Sequence, residues 1–300
     1  MNDLLKKLKQ TTLAHFLRHV LVFFRRPPVL PTTTEFKTAF WQSESGAASF
    51  IKGTDTETAP AAAIMDAVIN RFFLEHCPAN SKVLDLGSGH GVVSIFLAKS
   101  GHAVTACDVS APLLKTLEQN SVGLNIQIRQ GDAHKIPAAD GEFDVIVARM
   151  FLGHFPDWPD ILAEMTRCCR VGGKLLIHFT SKENADFGRE FGSYDCTFAD
   201  GPDEANPFHF FASAHEGEIR KACDELGLKI RERAPNTFFL HNRLAGHSLG
   251  QEKYDAYQQQ ALEFFKNENV RDFVVWFEQT VIRHMPVWIS YYNVLVLEKI

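Results

Sequence analysis

The chain of 300 residues lacks the features that would place it among secreted, fibrous or disordered proteins. Its six cysteines form no CxxC pair and show no spacing typical of zinc ligands, so neither a disulfide framework nor a metal site is indicated. No low-complexity tract is present, and 45% hydrophobic with 22% charged residues is ordinary globular composition. The net charge of −5 does not suit a protein that wraps nucleic acid. These absences favour a cytoplasmic globular protein with one large domain and appendages.

The first 31 residues lack an apolar run long enough to cross a bilayer, because His15, Arg18 and His19 interrupt it. No small-residue cleavage site follows, which argues against a secretory signal. The segment has six basic residues and one acid, a net charge of +5 that leaves −10 for the rest of the chain. Two interpretations stay open: a basic amphipathic helix in residues 1–26 that makes peripheral membrane or partner contact, and a helix packed on the main domain.

From about residue 60, helical and strand patterns alternate, which is typical of an α/β domain. The pattern predicts a doubly wound, mostly parallel sheet of seven strands with helical insertions. The predicted strands are 82–86, 103–107, 126–129, 143–148, 174–179, 229–239 and 293–299. The predicted helices are 60–76, 92–99, 111–120, 160–170, 216–226 and 251–284. Residues 180–214 show no clean period and are predicted to form a long loop region.

The strongest local signal is the stretch VLDLGSGHG from Val83 to Gly91, where a predicted strand ends in Asp85 and three alternating glycines precede a helix. Glycines at this point let the backbone approach a ligand closely and turn into a helix N-terminus. A dinucleotide-binding fingerprint has glycine at its first, third and sixth positions, and counted from Gly87 the sixth position is Val92. An NAD-binding function is therefore disfavoured.

This stretch resembles the first motif of class I S-adenosylmethionine-dependent methyltransferases, and four further stretches match that family in order. They are TACDVS with Asp108, Gly131-Asp132-Ala133, the segment from Phe143 to Asp157, and Arg170-Val171-Gly172-Gly173-Lys174-Leu175. The resemblance covers residues 60–180. It implies a Rossmann-like fold and S-adenosylmethionine as cofactor, with S-adenosylhomocysteine as product.

The resemblance also implies roles for individual residues. Asp108 would accept hydrogen bonds from the two ribose hydroxyls, since a carboxylate has two oxygens to offer. Asp132 and Ala133 would contact the adenine. Plain capping and turn roles are the alternative interpretations for the aspartates. The full set of predicted cofactor residues is Asp85, Gly87, Gly89, Gly91, Asp108, Val109, Asp132, Ala133 and Arg149.

The sequence says less about the residues that bind and activate the methyl acceptor. A hydroxyl or amine acceptor often needs a base, whereas a carboxylate does not. The candidate catalytic residues are His154, Tyr194 and His209, and a structural role is the alternative for each. His178 is a further candidate with an equally plausible role in the core. Arg149 could contact the cofactor or an anionic substrate.

Several substrate classes are disfavoured by missing motifs. The stretch Arg149-Met150-Phe151-Leu152 replaces the Pro-Pro-aromatic motif of DNA amino-methyltransferases, and the Pro-Cys nucleophile of cytosine-C5 enzymes is also absent. The acidic body argues against large RNA substrates, because phosphate binding depends on Lys and Arg.

The composition instead favours an apolar or amphiphilic small molecule, since ten of the 25 phenylalanines lie in two predicted cap regions, where packing of additional helices is the alternative interpretation. We predict an N-terminal helical lid segment at 1–59 and a methyltransferase domain at 60–300 with caps near 180–214 and 251–284. The predicted function is transfer of a methyl group to an O, N or C nucleophile of a small metabolite. The alternative is a non-catalytic relative that acts through a partner or a membrane surface.

Overall fold

The computed structural model describes residues 32–54, 60–184, 186, 212–239, 256, 260 and 263–300. Seven strands form one sheet in the order β3-β2-β1-β4-β5-β7-β6. The strands are β1 Lys82–Leu86, β2 Ala103–Asp108, β3 Ile126–Gln130, β4 Phe143–Arg149, β5 Cys169–Thr180, β6 Leu228–Asn236 and β7 Tyr292–Lys299. Strands β1 to β5 are parallel, and β7 runs antiparallel between β5 and β6. The predicted seven-stranded, mostly parallel sheet is confirmed.

Helices cover both faces of this sheet. They are α1 Thr32–Gln42, α2 Glu44–Thr54, α3 Pro60–His76, α4 Val92–Lys99, α5 Ala111–Asn120, α6 Trp158–Cys168, α7 Glu216–Leu226 and α8 Glu268–Thr280. Adjacent residues of β4 point to opposite faces, so Val145 joins a core cluster with α3 and α4 while Ile146 joins one with α6 and α7. Helix α8 packs on α3 through a separate small core that includes Ile64 and Val274.

The strand order places the functional edge of the sheet. Strand β1 pairs with β2 on one side and β4 on the other. The chain adds strands outward from β1 to β3 on one side and then continues from β4 on the other, so the direction of strand addition reverses between β1 and β4. In open α/β sheets, ligands bind in the crevice outside the carboxyl ends of the strands at such a reversal. The residues that follow β1, β2 and β4 therefore belong to one site.

Two predicted boundaries are wrong for a physical reason. Helix α6 ends at Cys168, and β5 begins at Cys169, so the predicted turn at 171–173 lies within a strand. Phe143 of β4 pairs with Cys169 of β5, and Val145 then pairs with Lys174. This register shift means that β5 accommodates the residues between Cys169 and Lys174 as a bulge. Strand β6 ends at Asn236 rather than at residue 239, because the next residue takes a left-handed conformation.

Other predictions fall partly or wholly outside the described residues. These include the segment 1–31, most of the loop region 180–214 and much of 251–262. The remainder of 251–284 is largely helical, as predicted. The five cysteines within the described ranges are buried and free of disulfides. Within the same ranges, no helix is both long and apolar enough to span a bilayer.

Candidate cofactor and acceptor site

The loop between β1 and α4 carries three glycines in the left-handed region, with φ of +72° at Gly87, +53° at Gly89 and +96° at Gly91. Other residue types adopt these angles only with strain. The bare backbone is in close contact with aromatic rings. A Cβ on Gly87 would lie 2.1 Å from the ring of Phe151, and one on Gly89 would lie 3.2 Å from that of Phe50. The loop therefore forms a cradle that has no room for side chains.

Asp108, at the end of β2, is joined to this loop. Its Oδ2 accepts a hydrogen bond from the Gly89 N–H at 2.8 Å, and its Oδ1 accepts one from the Ser110 N–H at 2.9 Å. Burial raises the pKa of Asp108, and the backbone hydrogen bonds act in the opposite direction. An ionised carboxylate offers about four lone-pair sites, so each oxygen can accept a further hydrogen bond.

Asp85 has a different environment. It is 1% exposed at the end of β1, and the Ser94 hydroxyl donates to its Oδ2 at 2.6 Å. Burial raises the pKa of this carboxyl to about 6, although the Ser94 hydrogen bond and the charge of Arg149 lower it. Asp85 thus links β1 to the first turns of α4 from beneath the glycine loop. No motif in the sequence marks Ser94.

The residues predicted at the adenine end lie after β2 and β3. Asp132 accepts from the backbone N–H and the Nδ1 of His134, both at 2.9 Å, and the other ring nitrogen of His134 lies 3.0 Å from Asp157. Ala133 is buried. Val109 is half-buried, and its carbonyl accepts from the Gln130 side chain at 3.1 Å. These contacts fix a turn beside Asp108.

Arg149 ends β4 and pairs with Asp66 of α3, and both side chains are largely buried. The pair brings two residues 83 positions apart into the site, and nothing in the sequence pattern marks Asp66. The next residue, Met150, takes a φ of +51°, and Phe151 then lies against Gly87. The charge of Arg149 also lowers the pKa of the Asp85 carboxyl.

His154 lies in a 3-10 turn directly after this segment. Burial and the nearby charge of Lys37 lower its pKa to about 3, so the imidazole is neutral at physiological pH and a weak base in this environment. His178 is buried within β5 and stacks on Tyr292 with ring centroids 4.6 Å apart. Tyr194 and His209 lie outside the described residues.

Helices α1 and α2, here called the lid helices, lie over the glycine loop. The backbone carbonyl of Trp41 accepts a hydrogen bond from the Ser110 hydroxyl. The Trp41 ring lies 5.2 Å from that of Phe50 and 6.2 Å from that of His154, and Phe50 lies 5.6 Å from His90. These edge-to-face contacts connect the lid helices to the ends of β1, β2 and β4.

A cavity of about 560 Å³ opens beside the loop, between α2, α3 and α4. Its lining includes Ile51, Asp66, Asn70, His90 and Ile95. Within the described part of the chain, the buried Asn70 Oδ1 and His90 Nδ1 have no hydrogen-bond partner. The volume is in the range of small-molecule sites.

The site fits S-adenosylmethionine on three observations. The glycine cradle allows close approach of a ligand, and the Asp108 carboxylate retains acceptor capacity for hydroxyl groups. The Ser88 hydroxyl, in the same loop, is buried without a hydrogen-bond partner among the described residues. Buried polar atoms in native proteins are normally satisfied, so an orphaned one in this loop indicates a ligand or an ordered water.

Comparison with known proteins agrees with this geometry. Residues 84–177 match the family model described as a methyltransferase domain. A ubiquinone biosynthesis O-methyltransferase of Methylococcus capsulatus is 36% identical over 102 residues, 33% of this chain and 43% of that protein. A demethylmenaquinone methyltransferase of Corynebacterium glutamicum is 33% identical over 114 residues, 38% of this chain and 48% of that protein. The chain therefore spans less than half the length of these curated relatives.

Solved structures extend the likeness in fold. The magnesium protoporphyrin IX methyltransferase of Synechocystis PCC 6803, crystallised with S-adenosylhomocysteine, superposes with a TM-score of 0.54 at 13% identity. The superposition covers 89% of this chain and 99% of that one. An S-adenosylmethionine-dependent methyltransferase of Thermotoga maritima gives the same TM-score at 12% identity, covering 87% and 99% of the two chains.

The fold is that of the class I methyltransferases. Within it, residues 84–177 match the methyltransferase-domain family model, and the predicted resemblance to S-adenosylmethionine-dependent methyltransferases is confirmed.

Proposed function

We propose that this protein transfers the methyl group of S-adenosylmethionine to a nucleophilic atom of a small apolar or amphiphilic molecule. The observation that carries the proposal is Asp108, whose carboxylate is fixed by Gly89 and Ser110 at the crevice beside three left-handed glycines. The bound cofactor supplies an electrophilic methyl group on a sulfonium. The quinone-pathway names of two relatives support an acceptor with an apolar body.

The residues of the chain have separate tasks in this proposal. Asp108 accepts hydrogen bonds from the ribose hydroxyls, and the turn at Asp132 and Ala133 borders the adenine. The glycine loop admits the rest of the cofactor. Arg149 is held by Asp66 at the end of β4, where the methionine portion and the acceptor would meet.

The lid helices exclude water from the reacting groups. Phe50 lies against Gly89 of the loop and Trp41 packs on Phe50, and this apolar surface suits an in-line displacement that depends on positioning more than on proton transfer. We extend the lid assignment to the N-terminal segment 1–59 and the substrate assignment to the caps near 180–214 and 251–284. The domain that carries the chemistry is then 60–300.

Radiolabelled transfer tests the proposal. The purified protein is incubated with S-adenosylmethionine labelled in the methyl group and with a cell extract, and the products are separated into organic, aqueous small-molecule, protein and nucleic-acid fractions. We expect label in the organic fraction. Label in protein or nucleic acid would overturn the substrate class, and binding of S-adenosylhomocysteine with no transfer into any fraction would favour a non-catalytic relative.

A further inference from the structure

His134 joins two carboxylates at the edge of the cofactor crevice. Its Nδ1 lies 2.9 Å from Oδ1 of Asp132, and its Nε2 lies 3.0 Å from Oδ2 of Asp157. An ionised carboxylate only accepts hydrogen bonds, and a histidine ring donates from both nitrogens only when it is protonated. The geometry therefore fits an imidazolium, because a neutral ring would direct a lone pair at one of the two carboxylates.

The charges around the ring favour the same protonated form. Burial acts to lower the pKa of His134, but the hydrogen bonds and charges of Asp132 and Asp157 together outweigh it and raise the pKa above its ordinary value. The charged groups that face the ring are Asp132, from the same turn, and Asp157, at the N-cap of α6. The His134 side chain is 35% exposed, so solvent exchanges protons with it directly.

The ring also determines which oxygen of Asp132 is left for a ligand. The backbone N–H and the Nδ1 of His134 both donate to Oδ1, each at 2.9 Å. No hydrogen bond within the described ranges occupies Oδ2, and 65% of the Asp132 side chain is exposed. His134 thus orients the carboxylate so that Oδ2 can accept from a donor such as the adenine amine.

A series of ring contacts connects His134 to the glycine loop. The His134 ring meets the Phe155 ring edge-to-face, with centroids 5.6 Å apart, and Phe155 lies 4.9 Å from Phe151. Phe151 in turn lies against Gly87, and both phenylalanines pack on the main core. The turn after β3 and the loop after β1 therefore belong to one packed unit, and His134 ties that unit to the start of α6.

We propose that His134 is a positioning residue for the cofactor: its imidazolium form holds the Asp132 turn to Asp157 and presents one Asp132 oxygen to the adenine amine. The inference rests on the proposed function and adds a property to it. Cofactor affinity depends on the protonation of a side chain that acts through Asp132 and does not itself contact the cofactor.

Protonation and cofactor binding are then linked. A ligand that binds the imidazolium form more tightly must also raise the pKa of His134, and such coupling is typically about 5- to 150-fold in affinity. Asp132 keeps its backbone hydrogen bond when the ring is neutral, so we expect a value near the low end. Affinity is highest below the pKa of the free protein and falls as the pH rises through it.

Nuclear magnetic resonance and calorimetry on the full chain test this assignment. The pKa of the His134 ring is measured without ligand and in saturating S-adenosylhomocysteine. The affinity for S-adenosylhomocysteine is measured at about pH 6 and about pH 8.5 for the wild type, His134→Gln, Asp157→Asn and the control His284→Gln. His284 is an exposed histidine in the turn after α8. Titration of other groups, such as Asp85, is common to all four proteins and cancels in the comparison.

We expect the pKa of the His134 ring to rise when S-adenosylhomocysteine is added. The wild type and His284→Gln should bind this ligand at least about fivefold more tightly at the lower pH than at the higher one. His134→Gln should lose most of this ratio, because glutamine does not titrate. Asp157→Asn should keep a pH dependence but show the fall in affinity at lower pH, since one of the two anions that stabilise the imidazolium is gone.

Two results would overturn the inference: a His134 pKa that S-adenosylhomocysteine leaves unchanged, or a His134→Gln variant with the pH dependence of the wild type. The first needs no variant, so it stands even if His134→Gln fails to fold. Binding of S-adenosylhomocysteine without this coupling overturns the inference alone, whereas a wild type that binds none at either pH overturns the proposed function as well.

Discussion

Removal of the Asp108 carboxylate is the most direct perturbation of the cofactor site. In Asp108→Ala, the N–H groups of Gly89 and Ser110 lose their acceptors, and the ribose hydroxyls of a bound ligand lose theirs. A hydrogen bond to a charged group contributes about 1.5–3 kcal/mol. We therefore expect the affinity for S-adenosylhomocysteine to fall roughly 10- to 150-fold.

The same substitution should also destabilise the loop by about 1–3 kcal/mol, since two backbone donors are left without a partner. Asp108→Asn separates the effects. Its amide oxygen can still accept hydrogen bonds, but its amide nitrogen can only donate, so the donor that faces that nitrogen loses its acceptor. An intermediate affinity is expected for Asn.

Calorimetric titration with S-adenosylhomocysteine and thermal unfolding measure the two quantities independently. Glu118→Ala is the matched control, because Glu118 is an exposed acid of the neighbouring α5. An Asp108→Ala protein that unfolds at the wild-type temperature and binds the ligand with wild-type affinity would refute the assignment of this carboxylate.

Three further changes have defined outcomes. Burial raises the pKa of Glu278 to about 7, so the folded state holds a proton that the unfolded state releases, and the unfolding free energy should fall by about 3 kcal/mol between pH 4.5 and 7. Denaturant titrations of Glu278→Gln should lack this loss, and a variant with the wild-type pH profile would contradict the assignment. Gly87→Ala should destabilise the fold more than Gly101→Ala. Both glycines adopt a left-handed φ, but only a Cβ at Gly87 would meet a neighbour, the Phe151 ring, and equal unfolding midpoints in urea would contradict this prediction. Deletion of residues 1–26 should abolish pelleting with liposomes, and a full-length protein that never pellets would exclude the membrane contact.

Much of the fold could be predicted because local signals and tertiary structure agree. Helix α5 begins where Ser110 caps it, with its hydroxyl accepting from the Leu113 N–H, and the glycines end β1 where the backbone must turn. The start of β5 could not be predicted, because it depends on pairing with Phe143 across a bulge, and no pattern near Cys169 records that partner.

The site follows the same division. Asp108 stands at a motif position and could be predicted, whereas Asp66 reaches the site from a helix that carries no motif. Its place in the site depends on its long-range pairing with Arg149, which no local pattern records. No motif marks Phe50 either, although its ring lies against Gly89 in the structure.

The position of β7 has a consequence for how the chain is made. It follows β6 in the chain yet lies between β5 and β6, with backbone pairing to both. Until residues 292–299 have left the ribosome, one edge of β5 has no partner strand, and β6 lacks the strand through which it joins the sheet. Unpaired edges are templates for association between chains, so a nascent or truncated chain would be prone to aggregate until this one strand closes the gap.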